Sequence, residues 1–212
     1  MAQVFVSYHH ANDQDYKNEF VRWAVANGLM QDMSVDTGDI DDSLPNQTIR
    51  RMIRDSYLRE SDVTIVLCGT ETRFRKHVDW EIKSSMIDGS VNRRSGILVI
   101  LLPTIPEAYY FNNELERKIV DPAMQMNLMP LSGKAEFEAL YPNVPRRILE
   151  NLALGCASIP IVPWSSVYGH AEVFSGLLRV TKSYGKSNQY DLSRPMRKKN
   201  FNPRTGLPDF RV

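Results

Sequence analysis

The stretch Arg75-Lys76-His77-Val78-Asp79-Trp80-Glu81-Ile82-Lys83 sets one glutamate within a short helical pattern, just past an apolar run that closes on Cys68-Gly69-Thr70. A carboxyl group so placed suits proton transfer or the stabilisation of a developing positive charge. Whether the chain is an enzyme turns on that residue. A second group of reactive side chains, Ser7-Tyr8-His9-His10, follows the apolar run Val4-Phe5-Val6. Together the two stretches read as a site rather than as a lone charge.

The elements that must position them are legible as alternating apolar runs and helical stripes. Val63 to Leu67 and Ile97 to Leu102 are unbroken apolar runs, the pattern of parallel strands covered on both faces. After Val4-Phe5-Val6, a helix capped by Asn12 or Asp13 carries the stripe Tyr16, Phe20, Trp23 and Ala24 and stops at Gly28. Met33-Ser34-Val35 is the expected second strand. The acidic loop Asp36 to Ser43 and a helix opened by Pro45 come next. In the helix that holds Glu81, Val78, Ile82 and Met86 form the inward seam and Asp79 with Lys83 an exposed i, i+4 pair. This alternation through residue 102 predicts a doubly wound parallel α/β sheet.

In such a sheet ligands bind beyond the carboxyl ends of the strands, where strand order reverses. Three segments answer that description: Ser7 to His10, Asp36 to Ser43, and Gly69 to Thr72 leading to Glu81. Past Pro103 the alternation stops, although Ile159-Pro160-Ile161-Val162 suits an edge strand, where proline is tolerated. From Lys182 onward there are eight basic and two acidic residues, the composition of a solvated, mobile tail. The expected organisation is a core over 1–102, an extension over 103–181 that completes or packs on the sheet, and a basic tail over 182–212.

Several chemistries find no support. GxxxxGK[ST], GxGxxG and GxSxG are all missing, and the four histidines do not form HExxH or a zinc spacing with Cys68 and Cys156. No metal is therefore expected. The 26 basic and 25 acidic residues among 212 nearly cancel, so the chain as a whole has no bias toward nucleic acid. Two cysteines and no long apolar run predict a cytoplasmic protein without a membrane span.

The run VFVSYHH, followed after a helix by SDVTIVLCGTETRFRKHVDWEIKSSM, resembles the TIR-like family of bacterial Thoeris antiphage defence, a divergent branch of the Toll/interleukin-1 receptor domains. Ser7-Tyr8-His9 matches the S-[FY]-H opening and Thr64 to Gly69 the T-x-V-L-x-G strand. Thr72, Arg75, Lys76, Val78, Glu81, Ile82 and Ser85 fall in step with the T-x-x-R-[RK]-W-V and Y-E-I-x-x-S stretches. His77 and Trp80 replace the usual aromatics at their positions. The resemblance covers about residues 3 to 102.

What the resemblance implies is a flavodoxin-like sheet and an enzyme that consumes NAD as a substrate, with no cofactor. Glu81 would be the catalytic residue, and Ser7, Tyr8, His9, Asp36, His77 and Trp80 would line the substrate site. The product would be a cyclic or otherwise modified ADP-ribose that activates a separate effector, after a phage-derived trigger and self-association through TIR contacts. Two alternatives stand beside it: a non-enzymatic TIR scaffold, and a ribosyl-transfer enzyme acting on nucleosides or nucleotides.

Overall fold

The structure, a computed structural model, describes residues 1–34, 48, 58–89, 93–126, 130–202, 205 and 207–209. The two unbroken apolar runs form β3 (Val63–Cys68) and β4 (Gly96–Leu101), paired in parallel from Val63 opposite Gly96 to Cys68 opposite Leu101. Every residue of both strands is buried, as required where helices cover both faces. β1 (Ala2–Ser7) pairs in parallel with β3 and with β2 (Met30–Asp32), and β5 (Ile161–Pro163) adds in parallel to β4. The order β2-β1-β3-β4-β5 is that of a flavodoxin-like, doubly wound α/β sheet. Its direction of winding reverses between β1 and β3, which places the crevice for a ligand at their carboxyl ends.

The described helices are α1 (His10–Ala26), α2 (Lys76–Met86), α3 (Glu114–Val120), α4 (Lys134–Leu140), α5 (Arg146–Ala153) and α6 (Ala171–Ser187). On one face of the sheet, Phe20 and Ala24 of α1 and Phe174 and Leu177 of α6 pack with Val4, Val6, Ile65 and Leu98. On the other, Val78, Ile82 and Met86 of α2 join Phe137 of α4 and Ile148 and Leu149 of α5 against Val66 and Val99. Successive side chains of a strand point to opposite faces. Hence Val4 and Val6 serve the α1 side, and Ser7 serves the α2 side.

Three local readings of the sequence change in the fold. The second strand is Met30–Asp32; of the expected Met33-Ser34-Val35, Met33 and Ser34 follow it, Ser34 having turned to local bonding, and Val35 lies outside the described residues. Its hydroxyl bonds the Asp32 carboxylate and accepts the Val6 N–H at 3.0 Å, while its own N–H bonds Asp32 at 2.9 Å. The first helix begins at His10, since the His9 carbonyl already accepts the Asn12 and Asp13 N–H groups, and Asp13 turns inward. The acidic loop with Asp36, and the helix expected after Pro45, lie outside the described residues except for Thr48.

The third change concerns the chain end. Residues 182–187 continue α6, and 191–200 lie along the outer faces of α2 and α5 instead of leaving the body. Asn200–Phe201 then pairs antiparallel with Pro208–Asp209. Charge composition suggested a solvated tail, but the contacts that hold this segment are made mostly by its backbone, which composition does not register.

Candidate functional site

Ser7, the last residue of β1, donates its hydroxyl proton to Glu81 Oε2 at 2.6 Å. This bond joins the two sequence stretches at the carboxyl end of the sheet. Glu81 lies on the inner stripe of α2 with Val78, Ile82 and Ser85, so the apolar seam that docks the helix also carries the carboxyl into the interior. Ser85 secures the same stripe: its hydroxyl donates to the Glu81 carbonyl at 2.9 Å and lies 2.7 Å from the Thr64 hydroxyl of β3.

Glu81 is only 5 % exposed. Burial pushes its carboxyl pKa up to about 8, against the smaller opposing pull of the Ser7 hydrogen bond. Among the described residues no cationic side chain is paired with it. At neutral pH the group is therefore mostly the neutral acid, hydrogen-bonded and desolvated, and a positive charge brought beside it would draw it toward the carboxylate.

The loop after β3 is tied to α1 by a second buried carboxyl. Gly69 N–H donates to the Thr72 hydroxyl at 2.9 Å, and that hydroxyl donates to Asp13 Oδ2 at 3.3 Å. Burial raises the Asp13 pKa, opposed by its bonds to Thr72 and the His9 backbone and by the charge of Arg75. The sequence held one signal for this residue, since Asp13 stands on the stripe Asp13, Lys17, Phe20, Ala24 that α1 buries. A β-carbon on Gly69 would lie 2.6 Å from Asp13 Oδ1, so there is no room for a side chain. Gly69→Ala is expected to destabilise the protein by about 1–3 kcal/mol through this overpacking, as read by urea unfolding. A change below about 0.5 kcal/mol would mean that Asp13 is not held over the loop.

The remaining sequence candidates divide. His9, the N-cap of α1, is held neutral: burial first, then Arg75, then His10 lower its pKa to about 4. Its Nδ1 is buried and has no hydrogen-bond partner among the described residues. Tyr8 turns to the α1 face, where its hydroxyl donates to Gln14 at 2.7 Å and its ring stacks on His10 with centroids 4.4 Å apart.

Trp80 points away from Ser7. Its ring is fully buried, stands 4.9 Å from that of His77, and its indole N–H donates to the Arg197 carbonyl at 2.7 Å. His77 keeps this ring contact with Trp80, and the hydrogen bond made by the Glu81 carboxyl is to Ser7. Asp36 lies outside the described residues.

Asp79 and Lys83 are not an exposed pair. Asp79 is buried and takes two hydrogen bonds from Arg147 of α5, while Lys83 donates to the Leu192 and Arg194 carbonyls at 3.1 Å each. Sequence spacing missed Arg147 because it is 68 residues from Asp79.

A cavity of about 990 Å³ opens between residues 107–111 and α4, lined by Tyr109, Tyr110, Phe111 and Tyr141, and does not include Glu81. Among the described residues no group of three His, Cys, Asp or Glu side chains is placed to hold a metal, and no helix is long and apolar enough to cross a membrane. The family described as Thoeris protein ThsB, TIR-like domain, matches residues 5–106. No curated protein matches the chain.

Proposed function

Residues 5–106 belong to the Thoeris ThsB TIR-like domain family, and from that premise we propose that this antiphage-defence protein cleaves NAD at the bond between nicotinamide and ribose. The observation that carries the reading is the Glu81 carboxyl, desolvated at the carboxyl end of β1, hydrogen-bonded by Ser7 and given no side-chain cation among the described residues. A buried carboxyl without a counter-charge favours a ligand that brings its own. The nicotinamide ring of NAD carries one positive charge, and cleavage moves that charge onto the ribose as an oxocarbenium-like centre. The ring departs as neutral nicotinamide, so neither a metal nor a strong general acid is required.

In this scheme the cation draws Glu81 to its ionised form. The carboxylate then bonds the ribose hydroxyls and stabilises the transition state, as acidic groups do in glycoside cleavage. Ser7 orients the carboxyl, and His9, two residues further along the same edge, is the next contact to the substrate. Attack on the ribosyl carbon by a group of the adenosine half yields a cyclic product, and attack by water yields ADP-ribose. Which occurs depends on how the folded substrate is held. The product is the signal for a separate effector.

A non-enzymatic scaffold is the competing reading, favoured by the low exposure of Glu81. The two separate on one experiment. The wild type and Glu81→Gln are incubated with NAD, alone and with lysate of phage-infected cells, and nicotinamide and the ADP-ribose species are resolved by mass spectrometry. Nicotinamide release by the wild type alone is the expected result. Its kcat/KM should rise with pH toward about 8 as the free enzyme's carboxyl ionises. Equal release by both proteins would remove Glu81 from the chemistry, and none from either when the wild type has assembled would leave the scaffold.

A further inference from the structure

The outer stripe of α2 is polar, and it is engaged with one segment of chain more than a hundred residues away. Lys76 N–H, the first of the helix, donates to Asn200 Oδ1 at 2.8 Å. Arg75, the N-cap, makes no side-chain cap bond, so Asn200 satisfies a donor that the local sequence leaves open. Asp79 Oδ2 accepts the Arg197 N–H at 2.8 Å, Trp80 donates to the Arg197 carbonyl, and Lys83 donates to those of Leu192 and Arg194. Positions 76, 79, 80 and 83 make one face of a helix.

Two residues of α5 read the same segment. Arg147, while holding Asp79, donates to the Arg194 and Pro195 carbonyls at 2.9 and 3.2 Å. Asn151 accepts the Asp191 N–H at 2.7 Å and donates to the Asp191 carbonyl at 3.3 Å. Residues 191–200 are thus stapled to both helices, largely through backbone groups.

The inner stripe carries Glu81, and it docks mainly through Val78, Ile82 and Met86, with the Ser85–Thr64 hydroxyl pair and the Ser7–Glu81 bond as its polar contacts to the sheet. Apolar packing is not directional and tolerates a small rotation of a helix, whereas the hydrogen bonds of the outer stripe do not. A turn of about 20° would carry a group some 6 Å from the helix axis through about 2 Å. That is well beyond the tolerance of roughly 0.5 Å for a catalytic group.

We propose that residues 191–200 are a positioning strap for α2, which sets the rotation of the helix and so the placement of the Glu81 carboxyl against Ser7; Asp79, Trp80 and Asn200 are its positioning residues. The proposal rests on the reading of Glu81 as the reacting group. Its physical content, the control of that carboxyl by the strap, can be measured without substrate.

The full-length Trp80→Phe/Asn200→Ala variant removes the indole donor and the helix cap while keeping a ring at position 80. Hydrogen exchange of 190–201 should accelerate at least tenfold with the circular dichroism of the fold retained. The pKa of Glu81, followed by carbon NMR of its carboxyl and assigned with Glu81→Gln, should fall by one unit or more as water reaches the group. In NAD turnover, kcat should drop about tenfold or more with KM little changed. Faster exchange with the Glu81 pKa unmoved would reduce the strap to a surface cover. Unchanged exchange would also overturn the proposal, because the named contacts would then not hold the segment. If the double variant does not fold, Asn200→Ala, at a half-buried position, takes the same readouts. Absence of turnover in the assembled wild type would end the NAD reading and leave the exchange and titration results to judge the strap.

Discussion

Replacing Glu81 by glutamine is expected to stabilise the protein by about 3 kcal/mol at pH 7.5 and to slow nicotinamide release at least 100-fold. The first effect follows from linkage. The folded pKa stands at about 8 against an ordinary value of 4.5. A group raised in this way contributes its full stability below 4.5 and loses it as the pH climbs through 8. Each unit is worth about 1.4 kcal/mol, so the wild type gives up about 4 kcal/mol by pH 7.5. Glutamine, the same shape and uncharged at every pH, avoids that loss. Its amide donors need acceptors that the acid did not, which lowers the expected gain to about 3 kcal/mol.

Thermal unfolding at two pH values is the measurement. The variant should melt about 8 °C above the wild type at pH 7.5, and the two should nearly coincide at pH 4.5. A difference independent of pH would show that the carboxyl is not held as a desolvated acid. The second effect, on the proposed mechanism, reflects loss of the negative charge that Glu81 would present to the developing ribosyl cation. Opposite changes in stability and activity at one atom pair mark a site whose strain serves function rather than folding.

Replacing Arg147 by methionine is expected to cost about 3–5 kcal/mol. The guanidinium, 1 % exposed, grips Asp79 through Nε and Nη2 at 3.1 Å each and also supplies the Arg194 and Pro195 carbonyls. Methionine fills most of the space yet leaves a buried carboxylate without its charged partner, only the Arg197 N–H remaining on it, and two carbonyls with one donor fewer. Breaking one side of a buried pair is costly for that reason, while removing both charges is often close to neutral. Arg147→Met/Asp79→Leu should therefore recover much of the loss in urea unfolding, with a coupling of about 2 kcal/mol or more in the double-mutant cycle. A single-variant cost under 1 kcal/mol would mean that water reaches Asp79 and that the pair does little for the fold.

The sequence by itself determined the sheet and the meeting of β1 with the glutamate helix. Val63–Cys68 and Gly96–Leu101 are apolar at nearly every position, and a segment with no polar face has few places to go other than between two helical layers. The seam of Val78, Ile82 and Met86 likewise settled which side of its helix faces inward, whereas the burial of Glu81 on that side became visible only in the fold. Such patterns are local: period and polarity within a dozen residues carry them.

What only the tertiary structure decided is the partner of each buried polar group. Asp79 and Lys83 satisfy the spacing of a surface ion pair, yet one is held by Arg147 and the other by the carbonyls of the strap. Asp13 reads as a helix cap and is instead buried against Thr72 and Gly69. The strap itself is nearly silent in composition, because it is held largely through peptide groups that every residue possesses. Spacing along the chain predicts neighbours three or four residues apart. A buried charge or an open helix end must be satisfied by whatever the fold brings to it, and here that came from 59 to 124 residues away.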